Sequence, residues 1–244
     1  MAIRPVIVVH AGAGDWLTGV NDAVAACRRA AKAGMDVLEE NGQATDGVVA
    51  AVRVLEDDPA CNAGTGAVLT SSQTLELDAC VMDGSSGASG AVGALPPFKH
   101  PIDIARHVMN HGQFHLLVGS GAAEFAISHG FNPAGQEDMI VRRNHPDAHA
   151  GNTVGAIALD SAGHLAAGTS TGGVSGKPPG RLGDTPIVGA GTYADHQLAC
   201  SFTGEGESIA RACAAFWTVE HPERDLDSLA ASSLMCAISE TRVL

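Results

Sequence analysis

The chain reads as an α+β protein in which antiparallel sheets are sandwiched between helical layers. Two observations carry that reading. Apolar runs separated by short polar turns recur as hairpin signals, which rules out a purely parallel sheet. Segments of helical periodicity are grouped apart from those runs instead of alternating with them.

Taken in order, Val6-Ile-Val-Val-His10 is a continuous apolar run, predicted as a strand buried on both faces and ended by Ala11-Gly-Ala-Gly14. Residues 21–41 have helical spacing, with Val24, Cys27, Ala31, Met35 and Leu38 on one face and Gly42 as the stop. A second helix over about 45–56 gathers Val48, Val49, Val52 and Leu55, with Pro59 beyond it. Ala67–Thr70 and Thr74–Val81, joined by Ser-Ser-Gln, predict a hairpin, and 87–95 a small-residue strand. Helices are expected over Pro101–Asn110 and Gly121–Gly130, then a polar linker over 131–152. Thr153–Leu159 and His164–Thr169 flank the turn Asp160-Ser-Ala-Gly163 and form a second hairpin. A glycine-dense loop over 172–191 leads to a strand at 198–203 and helices at 206–218 and 226–238.

Composition excludes several function classes. With 244 residues, 45% hydrophobic and 17% charged, the chain can build one large core or two small ones. A net charge of −13 and only Lys32, Lys99 and Lys177 as lysines leave no basic face for nucleic acid or an acidic membrane. No apolar stretch reaches the ~20 residues of a membrane span, and the first residues do not read as a signal peptide, so the expected compartment is the cytoplasm. Cys27, Cys61, Cys80, Cys200, Cys213 and Cys236 are scattered without a CxxC pair, as reduced, mostly buried thiols would be.

The chemistry-bearing residues lie after the linker. Thr153 stands at a strand start, and a hydroxyl freed by chain cleavage before it would gain its own α-amine as base. Thr171 is suited to orienting that nucleophile. Arg181 and Asp184, three apart in a glycine-bounded loop, could hold an α-carboxylate and an α-ammonium. The Thr203 hydroxyl and the Gly204 N–H are a natural pair of donors for a tetrahedral oxyanion. Each piece alone has an ordinary structural explanation, such as a turn, a surface ion pair or a helix start. It is their combination that fits one task.

These residues carry a resemblance to the plant-type L-asparaginase and isoaspartyl peptidase family of N-terminal-nucleophile hydrolases. It runs through His10-Ala-Gly-Ala-Gly14, Leu55–Gly66, Glu76–Gly84, Thr153–Asp160, Thr169–Gly173, Gly180–Pro186, Gly189–Asp195 and Thr203–Glu207, nearly the whole chain. The resemblance implies a four-layer αββα sandwich, one structural domain cut before Thr153 into an N-terminal portion, 1–152, and a C-terminal portion, 153–244. It implies Thr153 as nucleophile, Thr171 beside it, Arg181 and Asp184 as substrate clamp, and Thr203 and Gly204 as oxyanion hole. Asn62 would orient the site. The loop carrying Leu55, Glu56, Asp58, Cys61, Ala63 and Thr65 would bind a structural sodium ion through backbone carbonyls, with no other cofactor. Asparagine or a β-aspartyl dipeptide would be the substrate, and the cleaved protomers would form a homodimer.

Four departures from the family pattern set further expectations. Asn152 replaces the usual glycine before the nucleophile, which raises the cost of straining that peptide. The linker ahead of it is short. Ala11 stands where a glycine is usual and is harmless unless that position needs positive φ. The family's sheet continues in strands beyond Ile238–Leu244, so an incomplete sheet edge is expected there, either covered by a partner or an exchange or left open in a truncated or alternative product of poor stability. Asn152, the short linker and the missing tail raise a second reading, an uncleaved, catalytically silent relative acting as a binding protein.

Overall fold

A computed structural model describes residues 3–14, 19–140, 152–221, 233–239 and 242–243. The described chain forms ten strands and seven helices. In chain order they are β1 (Val6–His10), α1 (Val20–Glu39), α2 (Ala44–Asp57), β2 (Leu77–Asp83), β3 (Ser89–Leu95), α3 (Pro101–His111), β4 (Leu116–Val118), α4 (Gly119–Ser128), α5 (Gln136–Met139), β5 (Val154–Leu159), β6 (Leu165–Thr171), β7 (Thr192–Ala194), β8 (Leu198–Gly204), α6 (Gly206–Ala212), α7 (Ala214–Glu220), β9 (Ser233–Ser239) and β10 (Arg242–Val243). They make a six-stranded sheet, β1-β5-β6-β2-β3-β4, and a four-stranded sheet, β10-β9-β8-β7. All ladders are antiparallel except β3–β4.

Period-two alternation assigns each strand face to a layer. In β5, Val154, Ala156 and Ala158 join the core shared with α1, α2 and α3, whereas Ile157 and Leu159 point into the seam between the sheets. In β8, Ala199 enters that seam while Leu198, Cys200 and Phe202 meet Ile209, Ala214, Ala215 and Val219 of α6 and α7. Helices, sheet, sheet, helices: three apolar interfaces make the four-layer αββα sandwich that the resemblance implies.

Several expectations change. β1 is an edge strand whose Val6, Ile7, Val8 and Val9 are half-buried, so it is not enclosed on both faces. The buried face of α1 is Ala23, Ala26, Ala30, Gly34 and Leu38, and Val24 is exposed. Close packing of α1 on α2 decides this, because it favours the small side chains. A Cβ on Gly34 would run into Ile7 Cδ1 and lie 2.8 Å from the Gly47 carbonyl oxygen. Gly34→Leu is therefore expected to destabilise the fold by about 1–3 kcal/mol or more, read as a lower Tm in a thermal melt.

The first hairpin shrinks to one bridge, Leu69 to Leu75, across a turn closed by Gln73 N–H to Thr70 O at 3.0 Å. The linker contains α5, and the segment 206–218 is two helices broken at Cys213, whose φ of 46° ends the first. Residues 233–238, expected to be helical, form β9, because β8 offers an edge to pair with along seven residues, Leu198–Gly204. The rest of that expected helix, 226–232, lies outside the described residues.

Candidate active site

Thr153 immediately precedes β5 and is buried. Its hydroxyl donates to Thr171 Oγ at 3.1 Å, and its backbone N–H donates to Thr203 Oγ at 3.2 Å. Register explains the first contact: Val154 pairs with Ser170, so the start of β5 lies beside the end of β6. Thr203 reaches the same point from β8 on the other sheet. The nucleophile candidate thus sits at the end of the seam where both sheets meet.

Asn62 links the pieces. Its Nδ2 donates to the carbonyl of Asn152 at 2.8 Å and to that of Gly173 at 2.7 Å, while its Oδ1 accepts the Val68 N–H at 2.9 Å. Thr171 Oγ is 3.4 Å from the same Asn152 carbonyl and accepts the Gly173 N–H at 2.9 Å. In the uncut chain, the oxygen that would become negative if Thr153 Oγ attacked this carbonyl already faces a side-chain amide. The Asn152 side chain is itself anchored, its Oδ1 accepting the Gly14 N–H at 2.7 Å. Positive φ falls on Gly12, at 118°, and not on Ala11, so the substitution at 11 is tolerated.

Arg181 does not pair with Asp184. Its Nε and Nη2 both donate to Glu207 Oε1, at 2.9 and 2.7 Å, which brings the start of α6 onto the loop. Asp184 is buried, its Oδ2 has no hydrogen-bond partner, and burial pushes its pKa up to about 7 against the pull of its own amide and of Arg181. Arg181 and Asp184 still converge. A Cβ on Gly206 would lie 2.8 Å from Asp184 Oδ1 and 3.0 Å from Arg181 Nη2, so both side chains pack against this one glycine. On its other side the guanidinium abuts Gly173, two residues from Thr171. Clamp and nucleophile candidates therefore border one turn.

Sequence reasoning missed four charged residues at this turn. Glu207 was visible only as part of a helix start. Lys177, buried, donates to the Glu76 carbonyl at 2.9 Å; the Glu76 carboxylate accepts the Gly180 N–H at 2.8 Å; and Asp78, buried, accepts the Ala94 N–H at 2.8 Å. The alternation Glu76-Leu-Asp78 was the available signal, since it places two carboxylates on one strand face. His10 was also missed. It is buried between the sheets, accepts or donates to Ser201 Oγ at 2.8 Å, and burial lowers its pKa to about 4, against a smaller upward pull from a backbone hydrogen bond with Thr153. It is therefore neutral near pH 7. Two clefts of about 470 and 400 Å³ lie elsewhere, one around Phe98 and Phe131 and one around Val9 and Cys27; neither is lined by Thr153, Arg181 or Asp184.

A family model described as asparaginase matches residues 3–149 and 134–243. The chain belongs to the asparaginase family. It is 39% identical over 262 residues to the human isoaspartyl peptidase/L-asparaginase, covering 99% of this chain and 84% of that protein. The bovine protein of the same name is 39% identical over 254 residues, covering 95% and 82%. The isoaspartyl peptidase of Escherichia coli strain K12 is 39% identical over 241 residues, covering 87% and 75%.

Sodium in this asparaginase-family chain was expected at the Leu55–Gly66 loop, whose backbone is closely packed. A Cβ on Gly64, whose φ is 49°, would sit 2.5 Å from the Glu56 carbonyl oxygen and 2.6 Å from that of Lys99. Glycine at 64 thus lets the backbone pack directly against these two carbonyls, and the Glu56 oxygen already accepts the Thr65 N–H at 2.7 Å. Among the described residues, no group of three or more His, Cys, Asp or Glu side chains could hold a metal. No helix among them is long and apolar enough to cross a membrane.

Proposed function

We propose that this chain is a threonine amidohydrolase that cuts itself before Thr153 and then hydrolyses L-asparagine, β-aspartyl dipeptides, or both. The observation that carries the reading is the convergence of Thr153, Thr171, Thr203 and Asn62 on the Asn152–Thr153 peptide. In the first act Thr153 Oγ adds to the Asn152 carbonyl carbon, with the oxyanion facing Asn62 Nδ2. The C–N bond breaks to leave an ester on Oγ and a free α-amine. Water then cleaves the ester, giving portions 1–152 and 153–244.

The freed amine has an ordinary pKa of about 7.7–8.0, so a sizeable neutral fraction can take the hydroxyl proton near neutral pH. In the second act Thr153 Oγ adds to the side-chain amide carbon of asparagine, or to the β-peptide carbon of an isoaspartyl unit. The Thr203 hydroxyl and the Gly204 N–H receive the oxyanion. Ammonia or an amino acid leaves, and water releases aspartate. Arg181 holds the α-carboxylate and Asp184 the α-ammonium, features both substrates share. The names of the human and bacterial relatives support this substrate class. Nothing in the geometry favours the silent alternative.

A structural sodium ion would be held by backbone carbonyls of the loop with Leu55, Glu56, Asp58, Cys61, Ala63 and Thr65. A sodium ion there would supply charge that stiffens the loop positioning Asn62. The cleaved protomers are proposed to pair as a homodimer. The proposed compartment is the cytoplasm, where cysteines scattered without a CxxC pair would stay reduced.

Asp184 gives the reading a pH signature. With a folded pKa of about 7, its carboxylate is lost as pH falls through that value, and with it the partner of the substrate ammonium. KM for asparagine is expected to rise below pH 7, by at most about tenfold per unit. Asp184→Asn should raise KM and flatten that dependence. In the empty enzyme the same raised pKa contributes stability at low pH that is lost as pH rises through about 7. Steady-state assays of ammonia release from L-asparagine across pH 5–9 test the proposal; no hydrolysis of asparagine or of a β-aspartyl dipeptide at any pH would overturn it.

A further inference from the structure

Lys177 is one of the largest enclosed side chains of the described fold, and the proposed reaction does not use it. Its Nζ donates to the Glu76 carbonyl at 2.9 Å, and Glu76 Oε2 accepts the Gly180 N–H at 2.8 Å, so two bonds clip the loop between β6 and β7 to the residues that lead into β2. Asp78 lies directly opposite Thr171 in the β2–β6 ladder. It is fully buried and its Oδ2 has no hydrogen-bond partner. After burial itself, the strongest influence on Lys177 is the charge of Asp78, and the strongest on Asp78 is that of Lys177.

The ammonium also touches the turn that organises the nucleophile. A Cβ on Gly173, whose φ is 77°, would lie 3.0 Å from Lys177 Nζ. Gly173 gives its N–H to Thr171 Oγ and its carbonyl to Asn62 Nδ2. A buried cation against this turn disfavours a second cation beside it.

The geometry points to Lys177, balanced by Asp78, as a positioning residue that packs the Gly172–Gly173 turn against the active centre and keeps the freed Thr153 α-amine neutral at working pH. This rests on Thr153 being the nucleophile. The other charged groups around the turn do not substitute for it. Arg181 also abuts Gly173, but its charge is offset by Glu207 in the empty site and by the substrate α-carboxylate during turnover; Glu76 binds the Gly180 N–H through its carboxylate, and Asp184 is committed to the substrate ammonium. His10, from β1, is neutral near pH 7.

The test is the acid limb of kcat at saturating asparagine, where Asp184 is occupied and the limb reports the Thr153 amine. In cleaved Lys177→Met the limb should move to higher pH, on the order of half a unit or more. In cleaved Asp78→Asn, which leaves the ammonium unbalanced, it should move to lower pH. A purely structural role would lower kcat without moving the limbs in opposite directions. An unmoved limb in both variants, or a shift of the same sign in both, overturns the inference. Should Lys177→Met not yield cleaved protein, an unmoved or upward-shifted limb in Asp78→Asn alone overturns it. Failure of the underlying reading is recognised separately, because the unsubstituted protein would then show no fragment starting at Thr153.

Discussion

Thr153→Ala should abolish both self-cleavage and hydrolysis, with the amidase rate falling by at least about 10³-fold. The variant removes one hydroxyl from a site where that group donates to Thr171 Oγ, so the cost to folding is small. Its Tm should stay close to that of the unsubstituted protein while its band on a denaturing gel stays single. Thr153→Ser restores a nucleophile and should recover part of both activities. A Thr153→Ala protein that hydrolysed β-aspartyl dipeptides at an undiminished rate would show that the chemistry lies elsewhere.

Asn62→Ala should have the second largest effect, and should act mainly on maturation. The substitution removes the donor to the Asn152 carbonyl and leaves the Gly173 carbonyl buried without that partner. Loss of one oxyanion donor costs about 10²–10³ in rate. A buried acceptor left unsatisfied costs a further ~1–3 kcal/mol of stability. A time course of intact masses should show fragments appearing about a hundredfold more slowly than from the unsubstituted chain. Equal rates would remove Asn62 from the cleavage step.

Where local pattern and tertiary need agreed, the fold was readable. The β5–β6 hairpin was legible from Thr153–Leu159, His164–Thr169 and their turn, because Asp160 closes that turn by accepting the Ala162 and His164 N–H groups. The strand β9 was not, since Leu234, Met235 and Ala237 suit a helix as well and pairing with β8 decides between them. Helix α1 misled for another reason. Its larger side chains suggested the buried face, yet contact with α2 is close enough that alanines and Gly34 occupy it.

The candidate site divides in the same way. Thr153, Thr171, Thr203, Arg181 and Asp184 were singled out because their side chains have obvious chemistry at suggestive positions. The partner of Arg181 could not be read, because Glu207 lies on another element and only the folded loop brings it within 2.7 Å. Nor could Lys177, whose burial against Gly173 depends on the fold between β6 and β7.

The most direct measurement is intact-mass analysis of the purified protein during incubation, with asparaginase activity followed in the same samples. The account predicts a fragment beginning at Thr153 whose amount rises in step with activity. Full activity from a chain that remains uncut, or that is cut only at another bond, would contradict it.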